Sequence, residues 1–398
     1  MLAVLGPGLI AANAGNDAGG IATYSSVGAR YGFDLLWMMV VITVSLTVVQ
    51  EMAARMGIVT GKGLADLVRE NYGIRWSLFA TSSVLVANLG ICISEFVGIG
   101  AALSLAGIPA QVSVPVAAVA VWLLLVRGTY KLAERIFVAM TIPFFAYPIA
   151  AILAHPHWGK VGAAIVAPHI QTSPSYVLLF VATAGTTITP FMQLYLQSSV
   201  VERGMTPDEL NRERLEVVSG SIFANVIASF IIIATGATLF VHHHRVIDTA
   251  SQAAQALAPF AGRFAEVLFA VGLLGASLLA AAVLPVTAAY VISETFGFER
   301  GMSRTPREAP VFVGVVTALV VIGAVVAMIP GVPVFRLLIG VQAVNGVLLP
   351  ITLFFVWRLS ASAEVMGEYR NGRVFNVVAA LTVLATSALS LILLTVTL

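Results

Sequence analysis

One carboxylate near the start of the chain, Asp17, lies in an apolar segment and is surrounded by glycines. Gly15 precedes it by two residues, and Gly19 and Gly20 follow it. A carboxylate within a lipid-embedded segment is costly and marks a functional site. Glycines weaken a helix, and a helix that is broken at mid-membrane frees carbonyl groups that can ligate an ion. We therefore predict a cation site at Asp17, made from its carboxylate and the backbone around it.

A second interruption is predicted at Pro190, in the segment from Gly185 to Ser199. Proline removes a backbone donor and clashes with the preceding turn, so a helix here is either broken or only kinked. Two interrupted spans at corresponding positions of two halves are typical of transporters built from inverted repeats, which bind their substrate where the breaks meet. Taken with the break at Asp17, the proline favours a second break over a kink.

The composition places these segments in a membrane. Of the 398 residues, 59% are hydrophobic and 10% are charged, and the mean hydropathy is +0.98. No polar segment is long enough to form a core of its own, so we predict an all-α polytopic membrane protein with a single transmembrane domain. The net charge of +2 gives no indication of nucleic-acid binding. The one cysteine, Cys92, excludes a disulfide within the chain.

Hydropathy, with glycines, prolines and charge clusters as breaks, predicts about eleven spans. They cover approximately residues 3–26, 34–54, 76–105, 109–126, 134–154, 176–200, 215–241, 262–293, 309–329, 333–357 and 374–397. We do not expect the first span to be a cleavable signal peptide, because no basic residue precedes it. With a cytoplasmic N-terminus, only five of the 21 lysine and arginine residues fall outside, namely Arg30, Lys160, Arg245, Arg263 and Arg336. This asymmetry predicts a multi-pass protein of the cell membrane with its N-terminus in the cytoplasm.

Four motifs resemble the Nramp family of divalent-metal transporters. The first is Gly6-Pro7-Gly8 with Asp17-Ala18-Gly19-Gly20-Ile21-Ala22-Thr23, and the second runs from Arg55 to Leu67. The others are Ser94-Glu95-Phe96 and Gln342, which precedes Pro350 by eight residues. The resemblance covers nearly the whole chain. It implies a LeuT-like fold with two inverted repeats of five helices, at about residues 1–154 and 176–357, an extra helix at about 374–397, and interruptions in helices 1 and 6.

The resemblance also implies a metal site, from which this chain departs. In Nramp proteins that carry manganese and iron, the ligands are an Asp and an Asn of the first helix, with a Met thioether and a backbone carbonyl of the sixth. The corresponding positions here are Asp17, Gly20, Thr189 and Thr186, respectively. Without the sulfur, the remaining oxygen ligands suit magnesium, calcium and manganese, and magnesium commonly keeps part of its water shell. The pattern therefore resembles the Nramp-related magnesium transporter branch.

The register after Pro190 leaves one alternative open. The chain has one more residue between Pro190 and Tyr195 than the usual family pattern. A shifted register would return a sulfur, that of Met192, to the site.

The positions used for proton coupling in the family's metal/proton symporters are also changed. They correspond to Phe191, Gln197 and Cys92, none of which is a useful proton carrier at neutral pH in an apolar setting. Asp17 and Glu95 remain as proton acceptors within the spans. Glu95 either carries protons or is a relic that hydrogen-bonds neighbouring helices.

Further polar residues in the spans are candidates for the ion's water shell or its pathway, although such residues also commonly hydrogen-bond neighbouring helices. Gln342 is favoured by its family match. The others are Asn13, Asn16, Gln193 and Asn345. Glu51 and Arg55 have the i,i+4 spacing of a helical ion pair, which we predict instead of a role in transport.

These observations predict uptake of Mg²⁺, and also of Mn²⁺, as a partly hydrated ion by alternating access without proton coupling. A proton-coupled importer of Mn²⁺ and Fe²⁺ is the first alternative. An amino-acid symporter on the same fold is a further one, although Asp17 opposes a substrate carboxylate. No cofactor motif or nucleophile–base pair lies within the spans, so we expect neither an enzyme nor a bound cofactor. The expected partners are the ion and the lipid bilayer, and no nucleic acid.

Overall fold

A computed structural model describes residues 15–127, 136, 139, 142–242, 246–258, 262 and 265–397. These residues form α-helices joined by short turns. The helices are α1 Ala18–Tyr31, α2 Leu36–Thr60, α3 Leu64–Tyr72, α4 Ile74–Ser104, α5 Ala110–Arg127, α6 Ala146–Leu153, α7 Trp158–Val166, α8 Pro174–Thr187, α9 Pro190–Glu202, α10 Leu210–Thr235, α11 Ala250–Ala254, α12 Ala265–Phe296, α13 Pro310–Ala327, α14 Val334–Ala361, α15 Ala363–Met366 and α16 Arg373–Thr397.

Nine segments in this described part are long and apolar enough to cross a membrane, with α8 and α9 together forming one of them. The first and fifth predicted spans, at about 3–26 and 134–154, lie partly outside the described residues. Each of the other nine predicted spans corresponds to one of the nine segments.

The interruption predicted at Pro190 is present, and at Asp17 the described residues show a helix that begins where the other interruption was predicted. Asp17 has an extended backbone, with φ −69° and ψ −177°, and α1 begins directly after it. Between α8 and α9, Ile188 and Thr189 leave the helical conformation, with ψ of 60° and 142°. Pro190 disfavours a helical residue before it and suits the first position of a helix. The chain therefore breaks at Pro190 and is not merely kinked there.

Close backbone packing holds these breaks at the centre of the bundle. A Cβ atom added to Gly98 of α4 would lie 2.5 Å from Cβ of Ala18 and 2.5 Å from Oγ of Ser277, which joins the start of α1 to α4 and α12. A Cβ atom at Gly185 of α8 would overlap the main chain of α14 at Gln342. Small residues allow helices in membranes to approach this closely.

Consecutive spans alternate in direction, so α2, α9, α12 and α14 end on the side where α4, α10, α13 and α16 begin. We call this side the arginine-rich end, after Arg55, Arg69, Arg214 and Arg300. Ion pairs tie its segments together. Nε of Arg214 lies 2.8 Å from Glu51, and Nη2 of Arg300 lies 2.6 Å from Asp66.

Several helices are longer than hydropathy predicts. The second span was expected to end near residue 54, but α2 continues to Thr60. Glu51 and Arg55 form the predicted i,i+4 ion pair at 3.0 Å, and both are at most 4% exposed. Because each charge neutralises the other, the helix passes through them without a break. Prolines 115, 285 and 350 likewise lie inside helices.

Candidate functional site

Asp17 is the N-terminal cap of α1 and lies against α14. Its Oδ1 accepts the backbone N–H of Gly20 at 2.5 Å, which satisfies a helix-terminal donor. Nε2 of Gln342 lies 3.0 Å from both carboxylate oxygens. Asp17 is 1% exposed and Gln342 is fully buried. The predicted acid and the glutamine of α14 are therefore brought together in the interior.

Oxygen atoms from both breaks converge beside Gly20. A Cβ atom added there would lie 2.5 Å from the Gly15 carbonyl oxygen, 3.0 Å from Thr186 Oγ1 and 3.2 Å from Asp17 Oδ1. Thr186 also donates its hydroxyl to the Gly15 carbonyl at 3.4 Å. Carboxylate, hydroxyl and carbonyl oxygens are the ligands that hard divalent cations prefer. We call Gly15 O, Asp17 Oδ1 and Thr186 Oγ1 the oxygen cluster.

The oxygen cluster contains two atoms that the resemblance did not assign, and it does not include Thr189 or Gln342 of the predicted ligand set. The resemblance assigned a backbone carbonyl to position 186, but the hydroxyl of Thr186 is the atom that faces Gly20. The carbonyl comes instead from Gly15, in the backbone around Asp17 where the sequence predicted carbonyl ligands without singling out a residue. Gly20 has no side chain, and this leaves space in the cluster, because any Cβ there would enter the space between the three oxygens.

Four polar residues beside the breaks each keep an oxygen that has no hydrogen-bond partner in the described part of the chain. Thr189 Oγ1 is fully buried at the break before α9, and Gln193 Oε1 follows one turn later. The side-chain amide of Asn16 donates to the Ala224 carbonyl, and that of Asn345 donates to the Gly185 carbonyl. The Oδ1 atoms of both residues have no hydrogen-bond partner among the described residues. A buried polar atom without a partner costs about 1–3 kcal/mol, so such atoms mark positions that water or an ion satisfies.

Glu95 of α4 also reaches the first break. Its Oε2 accepts the backbone N–H of Ala18 at 3.1 Å, and Ser94 Oγ lies 3.2 Å from its Oε1. Glu95 is fully buried. It therefore hydrogen-bonds a neighbouring helix at the residue that follows Asp17.

The remaining predicted residues lie as follows. Met192 is buried in the first turn of α9, whereas Thr189 is the residue at the break itself. Gln197 donates from Nε2 to the Lys62 carbonyl at 3.0 Å, and Cys92 is a buried free thiol. Asn13 lies outside the described residues. Within the residues that are described, no group of three or more His, Cys, Asp or Glu side chains could hold a metal ion.

The family described as natural resistance-associated macrophage protein-like (Nramp) matches residues 8–396. The divalent metal cation transporter MntH of Verminephrobacter eiseniae is 30% identical, over 99% of this chain and 89% of that protein.

Two solved structures extend the comparison to the fold. The manganese transporter of Eremococcus coleocola has a TM-score of 0.77 at 21% identity, and the match covers 98% of this chain and 86% of that one. MhsT in complex with L-phenylalanine has a TM-score of 0.63 at 14% identity and a coverage of 98% of both chains. The predicted LeuT-like helical fold is confirmed by these likenesses.

Proposed function

The chain belongs to the Nramp family of multi-pass membrane transporters, and from this premise we propose that it carries divalent cations by alternating access. We propose further that it takes up Mg²⁺, and also Mn²⁺, as partly hydrated ions without moving protons. The observation that carries this proposal is the oxygen cluster, in which one carboxylate meets a hydroxyl and a carbonyl from two broken spans.

The chemistry of the cluster supports a hard ion. Its three atoms are all oxygens, and Thr189 stands at the break where a thioether would favour softer metals. A single carboxylate with neutral oxygens suits Mg²⁺, which is usually held by one or two carboxylates and retains several waters. Mn²⁺ accepts the same oxygen ligands.

The surroundings of the cluster support a partly hydrated ion. Gly20 leaves room beside the three oxygens, and the unpaired oxygens of Asn16, Thr189, Gln193 and Asn345 offer acceptors for water hydrogens. Water-mediated contacts cost little compared with direct ones. The ion therefore does not need a complete cage of protein ligands.

Binding also requires Gln342 to rearrange. In this structure its amide nitrogen donates to Asp17, so the positive end of the amide dipole faces the carboxylate. A cation at Asp17 repels that N–H group and attracts the amide oxygen. We propose that Gln342 rotates to present Oε1 to the ion or to its water. The structure, with Asp17 and Gln342 both buried, then corresponds to a closed state of the carrier.

The orientation follows from charge. We propose that the arginine-rich end faces the cytoplasm, which also gives the N-terminus a cytoplasmic location. The two inverted repeats are proposed at about residues 1–154 and 176–357, with α16 as the extra helix. The breaks before α1 and between α8 and α9 support this division, because they occur in the first span of each proposed half.

A proton-coupled importer of Mn²⁺ and Fe²⁺ is the second candidate. One observation favours it, namely that Glu95 is a second buried carboxylate beside Asp17. Against it, Phe191 and Gln197 stand where the coupled members carry histidines, and Gln197 has a structural hydrogen bond. An amino-acid symporter is disfavoured, because Asp17 caps the helix end that would receive a substrate carboxylate.

The test is uptake of Mg²⁺, Mn²⁺ and Ca²⁺ into liposomes that contain the purified protein and a pH dye. Asp17→Asn should abolish saturable uptake, because a divalent ion at mid-membrane would lose the carboxylate charge of the oxygen cluster. Asp248→Asn is the matched control, because Asp248 is half exposed and 3.8 Å from Arg336, far from the breaks in sequence. Near-normal uptake by a folded Asp17→Asn protein would refute the site. Metal uptake accompanied by internal acidification would favour the second candidate.

A further inference from the structure

The motif from Arg55 to Leu67 has no part in the oxygen cluster, but it contacts α9. A Cβ atom added to Gly57 would lie 2.6 Å from Val200 Cγ2 and 2.7 Å from the Gln197 carbonyl oxygen. The Lys62 carbonyl accepts the side-chain N–H of Gln197 at 3.0 Å. The end of α2 and the turn after it therefore pack directly against α9, the half-helix that begins at the second break.

Glu294, near the end of α12, connects α9 to the segment that follows α2. Ser198 of α9 donates its hydroxyl to Glu294 Oε1 at 2.8 Å, and the backbone N–H of Ala65 donates to Oε2 at 3.3 Å. Gly63 lies against the carboxylate, and any side chain at that position would overlap it. Glu294 is 1% exposed. One carboxylate thus connects α9, α3 and α12 at the arginine-rich end.

Charged partners surround this junction. Asp66 of α3 pairs with Arg300 at 2.6 Å and with Arg69 at 3.4 Å, and Arg69 also donates to the Thr295 carbonyl at 3.1 Å. A cavity of about 300 Å³ adjoins the junction, and Ser198, Glu202, Glu294, Arg300 and Ser303 are among its lining residues. Water that enters this cavity can hydrate the partners when their mutual contacts break, which makes the junction separable.

The two halves of the broken span, α8 and α9, are held by different kinds of contact. At the arginine-rich end, α9 is held by hydrogen bonds to Glu294, with a cavity beside them. Next to the oxygen cluster, α8 meets α14 through main-chain contact at Gly185 and Gly346. Contacts of the first kind can be exchanged for contacts with water at a small net cost.

We propose that Glu294 is the positioning residue of a latch, formed with Ser198, Gly63 and Ala65, that keeps α9 against α2 and closes the path from the oxygen cluster to the arginine-rich end. Opening of the latch releases α9, which continues directly from Thr189 at the break. The inference rests on the proposed alternating access, but it does not depend on which ion is carried.

The test uses cysteine reactivity and requires no transported ion. Cys92 is the only cysteine of the chain, so Val200→Cys in a Cys92→Ser background supplies a single reporter at the α2–α9 contact, where Val200 is 0% exposed. A membrane-impermeant maleimide is applied from the arginine-rich side of oriented vesicles. Glu294→Ala and Ser198→Ala should each raise the labelling rate at position 200 about tenfold. A tenfold change requires about 1.4 kcal/mol, and a hydrogen bond to a charged group contributes at least that much.

Matched controls separate a latch from general loosening. Ser229→Ala removes a hydroxyl that bonds only its own helix, and Glu308→Gln removes an exposed carboxylate of the same end. Neither should change labelling. A second reporter, Ala182→Cys in buried α8, should not become more reactive in the latch variants. Glu294→Gln keeps one acceptor and should restore part of the slow labelling.

Unchanged labelling at position 200 in a folded Ser198→Ala protein would overturn the proposal, and so would an equal rise at position 182. If Glu294→Ala does not fold, Ser198→Ala decides, because it removes one hydroxyl and leaves the carboxylate in place. Faster labelling together with absent Mg²⁺ and Mn²⁺ uptake in the parent protein would retain the latch while refuting the proposed function.

Discussion

Replacement of Gly20 by alanine should displace the ion from the oxygen cluster. The new Cβ would lie 2.5 Å from the Gly15 carbonyl oxygen, about 0.8 Å inside the about 3.3 Å at which carbon and oxygen normally touch. It would also lie 3.0 Å from Thr186 Oγ1 and 3.2 Å from Asp17 Oδ1. The methyl group therefore enters the space between three atoms that are proposed to face the ion.

The size of the effect follows from the cost of overpacking. An added methyl group in a tightly packed interior costs about 1–3 kcal/mol, and the neighbour that must move here is backbone. Relief comes from moving Gly15 away, which takes its carbonyl out of the cluster. If the whole cost falls on ion binding, the Kd for Mg²⁺ should rise by about fivefold to about 150-fold.

Calorimetric titration of Mg²⁺ and Mn²⁺ into the purified protein measures this change, with initial uptake rates in liposomes alongside it. Gly340→Ala is the matched control, because a Cβ at Gly340 of α14 meets no atom within 4 Å. Alanine is the better helix former at both positions, so helix propensity does not explain a loss at Gly20. An unchanged Kd in Gly20→Ala would show that the ion does not use this space and would refute the proposed cluster.

Two further predictions concern selectivity and coupling. Thr189→Met should shift competition in Mn²⁺ uptake toward cadmium, because it restores a thioether at the second break; unchanged cadmium competition would mean that position 189 does not face the ion. Uptake should respond to voltage and not to a pH gradient, since an inside-negative potential of 100 mV gives a divalent ion about 4.6 kcal/mol, a concentration ratio above about a thousandfold. Potassium diffusion potentials imposed on dye-loaded liposomes test this, and metal-dependent acidification that disappears in Glu95→Gln would show that Glu95 carries protons.

The sequence predicted the parts of the site that depend on local chemistry. Gly15 and Pro190 disturb helices through their own backbones, so both breaks were visible without a structure. Asp17 stood out because a carboxylate is rare in an apolar span. The pairing of Asp17 with Gln342 was implied only by the family match, since 325 residues separate them.

Contacts between distant helices could not be predicted in this way. Hydropathy shows which residues are embedded, but it does not show which neighbour each side chain faces. The junction of Glu294 with Ala65 spans 229 residues, and each partner alone is an ordinary residue at a helix end. The sequence predicted backbone ligands around Asp17 but could not single out the Gly15 carbonyl, because its role depends on the empty space beside Gly20.

The main-chain contact between α8 and α14 has a consequence for leakage. Cβ atoms at Gly185 and Gly346 would enter the opposite backbone, and the one at Gly346 would lie 2.6 Å from the Val181 carbonyl oxygen. Backbone atoms have no alternative rotamers, so side-chain motion alone cannot open this contact. Water can pass between the helices only if they move apart as whole bodies. A seal of this kind lets a protein with a charged site work against a large membrane potential without becoming a channel.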